Sequence, residues 1–378
     1  MAKKEDKKGA KKAKKKGAKY TSVHYNSYLK LDELLSSQVL RSEEVGQPAH
    51  EEMLFIITHQ VYELWFKQIN HELRSVIDMF DDGVVNERNM GVTVSRLHRV
   101  GEILELMIKQ IGILETMTPL DFLDFRSYLF PASGFQSFQF REMEGLLGLK
   151  NEQRHTYHNT DYKVVFDDDK KKELKGLEKS KSLFELVDDW LSRTPFLEVG
   201  EWDFIDAYRN AIEHMLAKEK AAIMATDILS DKYKKMRVDM LGDTDTYFGS
   251  IMSEDHHNNL LEKGEVKLSY QSTVAALLIN LYRDEPILQM PFSLLAKLVD
   301  VDELLARWRY RHAQMVMRMI GKKVGTGGSS GHEYLHKTAK NHHIFSDLHN
   351  VSTLLIPRSE LPTLPADLKQ KLGFYYQG

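Results

Sequence analysis

The chain has no cysteine among its 378 residues. That excludes disulfides, iron–sulfur clusters, thiolate-ligated haem and cysteine nucleophiles. Any metal must therefore be held by His, Asp, Glu, Tyr or Met, and 16 histidines are available. No stretch reaches the roughly 18 consecutive apolar residues of a membrane span. The N-terminus has no apolar core of a secretory signal, and its basic residues are all lysine, without the Arg and Ser of an organelle transit peptide. Only nine prolines occur. They fall mostly between periodic segments, where they act as punctuation rather than kinks. Persuasive β-alternation and internal repeats are also missing.

What is present is helical periodicity nearly throughout. The spacing predicts long helices over about 29–41, 51–80, 87–116, 137–148, 172–193, 202–238, 268–283 and 292–320, with shorter ones near 120–129, 332–340 and 362–373. The fold class this implies is all-α, a bundle of long helices. The hydrophobic content of 42% supports a large core. Charge is unevenly spread. Residues 1–19 carry ten Lys against Glu5 and Asp6, a charge of +8, so the net −3 leaves −11 on the remainder. Without aromatics this segment reads as a disordered Lys-rich tail. It is expected to solubilise, with weak anion binding and no dedicated nucleic-acid partner, ahead of one all-helical domain over 20–378. The lack of cysteine fits a cytoplasmic protein.

Two histidines interrupt apolar helical faces. In "LFIITHQVYELWFKQ", Phe55, His59, Tyr62 and Phe66 share one face, with Glu63 and Lys67 paired on another. In "VDELLARWRYRHAQMVMRMIG", Trp308, His312, Met315, Val316 and Met319 form a stripe, with Arg307, Arg311 and Arg318 elsewhere. Neither histidine has an acid on its own face. They are either core histidines satisfied by backbone carbonyls or the two sides of a planar cofactor such as haem. "GTGGSSG" (325–331) follows the second helix; it lacks the lysine of a nucleotide loop but allows close backbone approach to a ligand. Arg126, set among Phe122, Phe125, Tyr128 and Phe130, either pairs with Asp121 or Asp124 or clamps a carboxylate. "HEYLH" (332–336) satisfies the H-E-x-x-H zinc signature, with His342 where a third ligand would fall but Ala339 where that pattern needs glycine. A zinc hydrolase is thus a remote alternative, and a His-rich surface helix the plainer reading.

The segments "YNSYLKLDELL", "LFIITHQVYELWFKQI", "LDFLDFRSYLFPASGFQSFQFRE", "WRYRHAQMVMRMIG", "GTGGSSG" and "STLLIPR" together resemble the tryptophan 2,3-dioxygenase family, in the family's order from Tyr25 to Arg358. Residues 150–265 match least well. The resemblance implies a helical bundle enclosing one haem b per subunit, assembled as a homotetramer and acting on L-tryptophan and O2. His312 would be the proximal iron ligand, with Trp308 and Ser133 on the cofactor side. His59 would bond the indole nitrogen, Phe55 and Phe122 would pack the indole, and Leu129 would line the pocket. Arg126 would hold the substrate carboxylate, and Thr326 its ammonium and carboxylate. Tyr25 and Tyr28 would reach a neighbouring subunit's site. The implied reaction opens the indole C2–C3 bond to give N-formyl-L-kynurenine. Mono-oxygenation of a related aromatic amino acid is the alternative.

Overall fold

The computed structural model describes residues 22–81, 87–154, 161–323 and 331–373. The Lys-rich segment 1–19 and Thr326 lie outside the described residues. The chain opens with three short helices, α1 (Tyr25–Leu29), α2 (Leu31–Leu35) and α3 (Arg41–Glu44). In place of the single helix predicted over 29–41, α1 and α2 are separated by Lys30 in a left-handed conformation, φ 53°, and α2 stops at Ser36 before α3 begins. Helices α1 and α2 bury none of their side chains.

The bundle proper begins with α4 (Glu51–Asp81) and α5 (Glu87–Leu114), followed by α6 (Pro119–Arg126) and α7 (Phe138–Leu147). On α4, Tyr62, Phe66, Ile69, Leu73, Val76 and Phe80 recur at three- and four-residue steps. On α5 the same rhythm carries Leu97, Val100, Leu104, Met107, Ile111 and Leu114. The two stripes pack together, and each buried aliphatic side chain contributes about 1.5–3 kcal/mol. Tyr62 fastens the pair by donating its hydroxyl proton to the Met107 carbonyl at 2.8 Å.

Two further predicted helices prove to be pairs. The run 172–193 divides into α8 (Asp168–Leu177) and α9 (Leu183–Leu191). Ser182 and Glu185 form a reciprocal capping box that starts α9 afresh. A two-residue antiparallel ribbon, β1 (Glu198–Val199) with β2 (Trp202–Asp203), precedes α10 (Phe204–Ala225). The run 202–238 then breaks at an extended Thr226, and α11 (Asp231–Ile251) and α12 (Glu254–Glu262) follow.

Helix α13 (Tyr270–Leu281), capped by Ser269, leads to the longest helix, α14 (Pro286–Ile320). Here proline is not only punctuation. Pro286 occupies the first turn, where a missing N–H costs nothing, but Pro291 lies inside α14 and removes one helical hydrogen bond. Helix α14 packs along α5 and against α15 (Gly331–Asn341). The chain ends with α16 (Ser346–Asn350) and α17 (Ala366–Leu372). Two buried phenols hook this final segment to the bundle: Tyr208 donates to the Leu354 carbonyl, and Tyr282 to that of Pro362 at 2.7 Å. Among the described residues no helix is long and apolar enough to cross a membrane.

Candidate functional site

Helices α4, α5, α6, α7, α14 and α15 enclose a cavity of about 320 Å³ with mainly apolar walls. Seven residues singled out from sequence line it together: Phe55, His59, Phe122, Arg126, Ser133, Trp308 and His312. Leu129 does not line it; it packs against the core from a short 3-10 turn beyond α6. Tyr25 and Tyr28 stand away from the cavity at 71% and 72% exposure.

His59 belongs to α4, where it lines the cavity and keeps more than a third of its surface exposed. Its Nδ1 lies 2.7 Å from the Phe55 carbonyl, one turn back. A carbonyl can only accept, so Nδ1 carries the proton, and in the neutral ring Nε2 is left as an acceptor. Loss of hydration lowers the pKa of His59, partly offset by that hydrogen bond, which keeps the ring neutral. Phe55 lies against both His59 (ring centroids 4.1 Å apart) and Phe122 (5.7 Å). These aromatics make one end of the cavity dry. Phe122 is placed by α6, whose start is fixed by Pro119 and a Thr118–Asp121 capping box. Asp121 therefore serves the helix start, and Arg126, at the other end of α6, reaches the cavity wall.

His312 faces the cavity from α14 and stacks on Trp308, with ring centroids 5.4 Å apart and planes 15° from parallel. Among the described residues its ring makes no hydrogen bond. Burial, with a smaller push from His59, lowers its pKa to about 4. The imidazole is neutral at physiological pH, the form that binds metals. Among the described residues the buried Trp308 indole N–H also has no hydrogen-bond partner. A neutral imidazole with uncommitted nitrogens, facing an apolar cavity, fits the axial ligand of a haem.

Other lining groups escaped the sequence reading. Glu63 is not on an outer face with Lys67; it lines the cavity one turn beyond His59. Burial raises its pKa, with a hydrogen bond to Ser137 opposing. Arg141, Glu144, Arg309 and His342 line the cavity's far side. The surroundings of His59 thus do include an acid. The i,i+4 relation of Glu63 to His59 and the i,i+3 relation of Arg309 to His312 were visible signals.

The H-E-x-x-H match does not assemble a metal site. His332 and His336 stack with centroids 5.9 Å apart, and Glu333 pairs with Lys337 at 3.1 Å. His342 turns instead into the interior beside Glu144. Among the described residues no three metal-ligating side chains of the His, Cys, Asp and Glu type cluster.

Residues 8–355 match the sequence profile of the family described as tryptophan 2,3-dioxygenase. A tryptophan 2,3-dioxygenase of Alteromonas mediterranea is 47% identical over 354 residues, covering 94% of this chain and 98% of the relative. That of Bdellovibrio bacteriovorus is 46% identical over 358 residues, covering 95% and 100%. That of Dictyostelium discoideum is 47% identical over 353 residues, covering 93% and 88%.

Proposed function

The chain belongs to the tryptophan 2,3-dioxygenase family, and from this membership we propose that it opens the indole C2–C3 bond of L-tryptophan with O2, giving N-formyl-L-kynurenine, at a haem b held by His312. One observation carries the reading: two long, separate helices bring His59 and His312 to the same apolar cavity, the first with its Nδ1 committed to a backbone carbonyl and the second stacked on Trp308. His312 is free to ligate iron, with Trp308 stacked on it as a rigid backing and Ser133 nearby on the cofactor side. The haem supplies the O2 chemistry. The remaining work falls to the protein's own side chains.

His59 Nε2, an acceptor because Nδ1 is committed to Phe55, takes the indole N–H. Phe55 and Phe122, in contact with each other, pack against the indole as one aromatic wall of the cavity. Arg126 binds the substrate carboxylate, with Thr326 assisting on the ammonium and carboxylate. Leu129 shapes the pocket from behind α6. Holding both reactants in one place converts a bimolecular encounter into a local one. Tyr25 and Tyr28 complete the site of a neighbouring subunit in a homotetramer. Their exposure on a five-residue helix that buries nothing supports this role. Cytoplasmic residence belongs to the same proposal.

The test is a visible spectrum of the purified protein: ferric, then reduced, then with L-tryptophan in air. A Soret band that shifts on reduction, followed by the near-ultraviolet absorbance of N-formylkynurenine, is expected. A protein that takes up no haem after reconstitution with hemin overturns the reading.

A further inference from the structure

A histidine that holds a metal is usually aimed by a hydrogen bond from its second ring nitrogen to a carboxylate or a carbonyl. Among the described residues His312 makes no such bond and stacks on Trp308 instead. Trp308 lies one turn back on the same helix, so it fixes the ring relative to α14 and not α14 relative to the cavity. The direction of His312 therefore depends on the rotation of α14 about its own axis. Side chains reach about 5–6 Å from a helix axis, so a turn of about 10° carries the ring sideways by about 1 Å. Apolar contacts, such as Trp308 against Phe66 and Phe140, hold the helix in place but are not directional.

Ion pairs flank His312 on both sides. At helical spacing Arg311 leaves α14 about 100° to one side of His312, and Arg309 about 60° to the other. Arg309 donates to Glu144 of α7 at 3.0 Å, an acid that Arg141 and Arg154 also engage. Arg311 donates through both terminal nitrogens to the two carboxylate oxygens of Glu115, one of these bonds being 2.5 Å long. Glu115 directly follows α5, and its side chain is only 11% exposed. Leu114 before it and Met117 after it line the cavity, so the acid is anchored in the cavity wall. A guanidinium is a planar fork, and a two-point grip on a carboxylate resists rotation where a single contact would not. We propose that Arg311 and Glu115 are a positioning pair for His312, doing through the helix backbone what a ring hydrogen bond does elsewhere. The inference rests on the haem reading above.

The experiment reads the axial bond in the full haem-loaded chain. Electron paramagnetic resonance of the ferrous nitric oxide complex separates a haem that keeps its nitrogen ligand from one that has lost it. Transfer of hemin to excess apomyoglobin measures retention. The wild type is expected to keep the ligand. Arg311→Met and Glu115→Gln should each lose it in part and release hemin about tenfold faster, the usual cost of removing a group that orients a metal ligand. Arg311→Lys keeps the charge without the fork and should fall between. The double swap Glu115→Arg with Arg311→Glu should restore most of the retention. Haem-free variants should melt close to haem-free wild type, because Arg311 is 38% exposed and such a pair adds little to the fold itself. Single variants with wild-type ligation and wild-type hemin release overturn the proposal. So does a fall in haem-free melting as large as the fall in the loaded protein, which would make the pair a clamp on the fold and not on the ring. A wild-type chain whose haem carries no nitrogen ligand overturns the haem reading itself, and this inference with it.

Discussion

His59 on α4 and His312 on α14 look alike in sequence, each a lone histidine on an apolar helical face, yet the fold gives them opposite chemical standing. One has a ring nitrogen committed to a backbone carbonyl a turn away. The other stacks on Trp308 and, among the described residues, makes no hydrogen bond. A committed ring has a fixed tautomer and presents a defined acceptor, which suits recognition of an N–H. An uncommitted, desolvated ring presents a lone pair with no competitor, which suits a metal. The lesson is that a histidine's task is set by what its second nitrogen does, which no linear motif records.

Substitutions should pull the two sides of the cavity apart. The largest effect is expected from His312→Ala, which should purify with little or no haem by its Soret absorbance. Arg126→Ala should keep haem but weaken L-tryptophan binding by about 2–5 kcal/mol, measured by titration, since it truncates one partner of a charged pair. His59→Leu should also keep haem, and should lose only the roughly 1 kcal/mol of a single hydrogen bond. Its signature is selectivity: the preference for L-tryptophan over its N1-methyl analogue should vanish. The smallest effect concerns pH. With the His59 pKa lowered by burial, the acceptor persists as pH falls through the ordinary value of 6.5, so tryptophan affinity should stay level there. A loss of affinity centred at 6.5 would mean that His59 is solvated and the comparison fails.

Much of this was legible beforehand. The stripes of α4, α5 and α14 announce themselves by three- and four-residue recurrence, and Arg126 stands out among its phenylalanines. The helix breaks were less visible because they are local decisions. Lys30 adopts a left-handed conformation that its residue type does not advertise. Ser182 and Glu185, by contrast, form an S-x-x-E cap that could have been read. The arginine cluster was hidden for another reason: Arg141, Glu144, Arg154, Arg309 and His342 come from three distant parts of the chain, and only tertiary packing makes them one group.

The phenols that fasten the bundle have a consequence at the alkaline end of the pH scale. Tyr62, Tyr208 and Tyr282 each spend their proton on a main-chain carbonyl. Burial raises all three pKa values above 10, that of Tyr62 to about 12. An unfolded chain gives up those protons near 10, while the native one must keep them. Above that point stability falls as pH rises, with each such phenol withdrawing about 1.4 kcal/mol per pH unit until its own native pKa is reached. The same three hydroxyls that tie α4 to α5 and the C-terminal segment to the bundle therefore make base, not only heat, a route to its undoing.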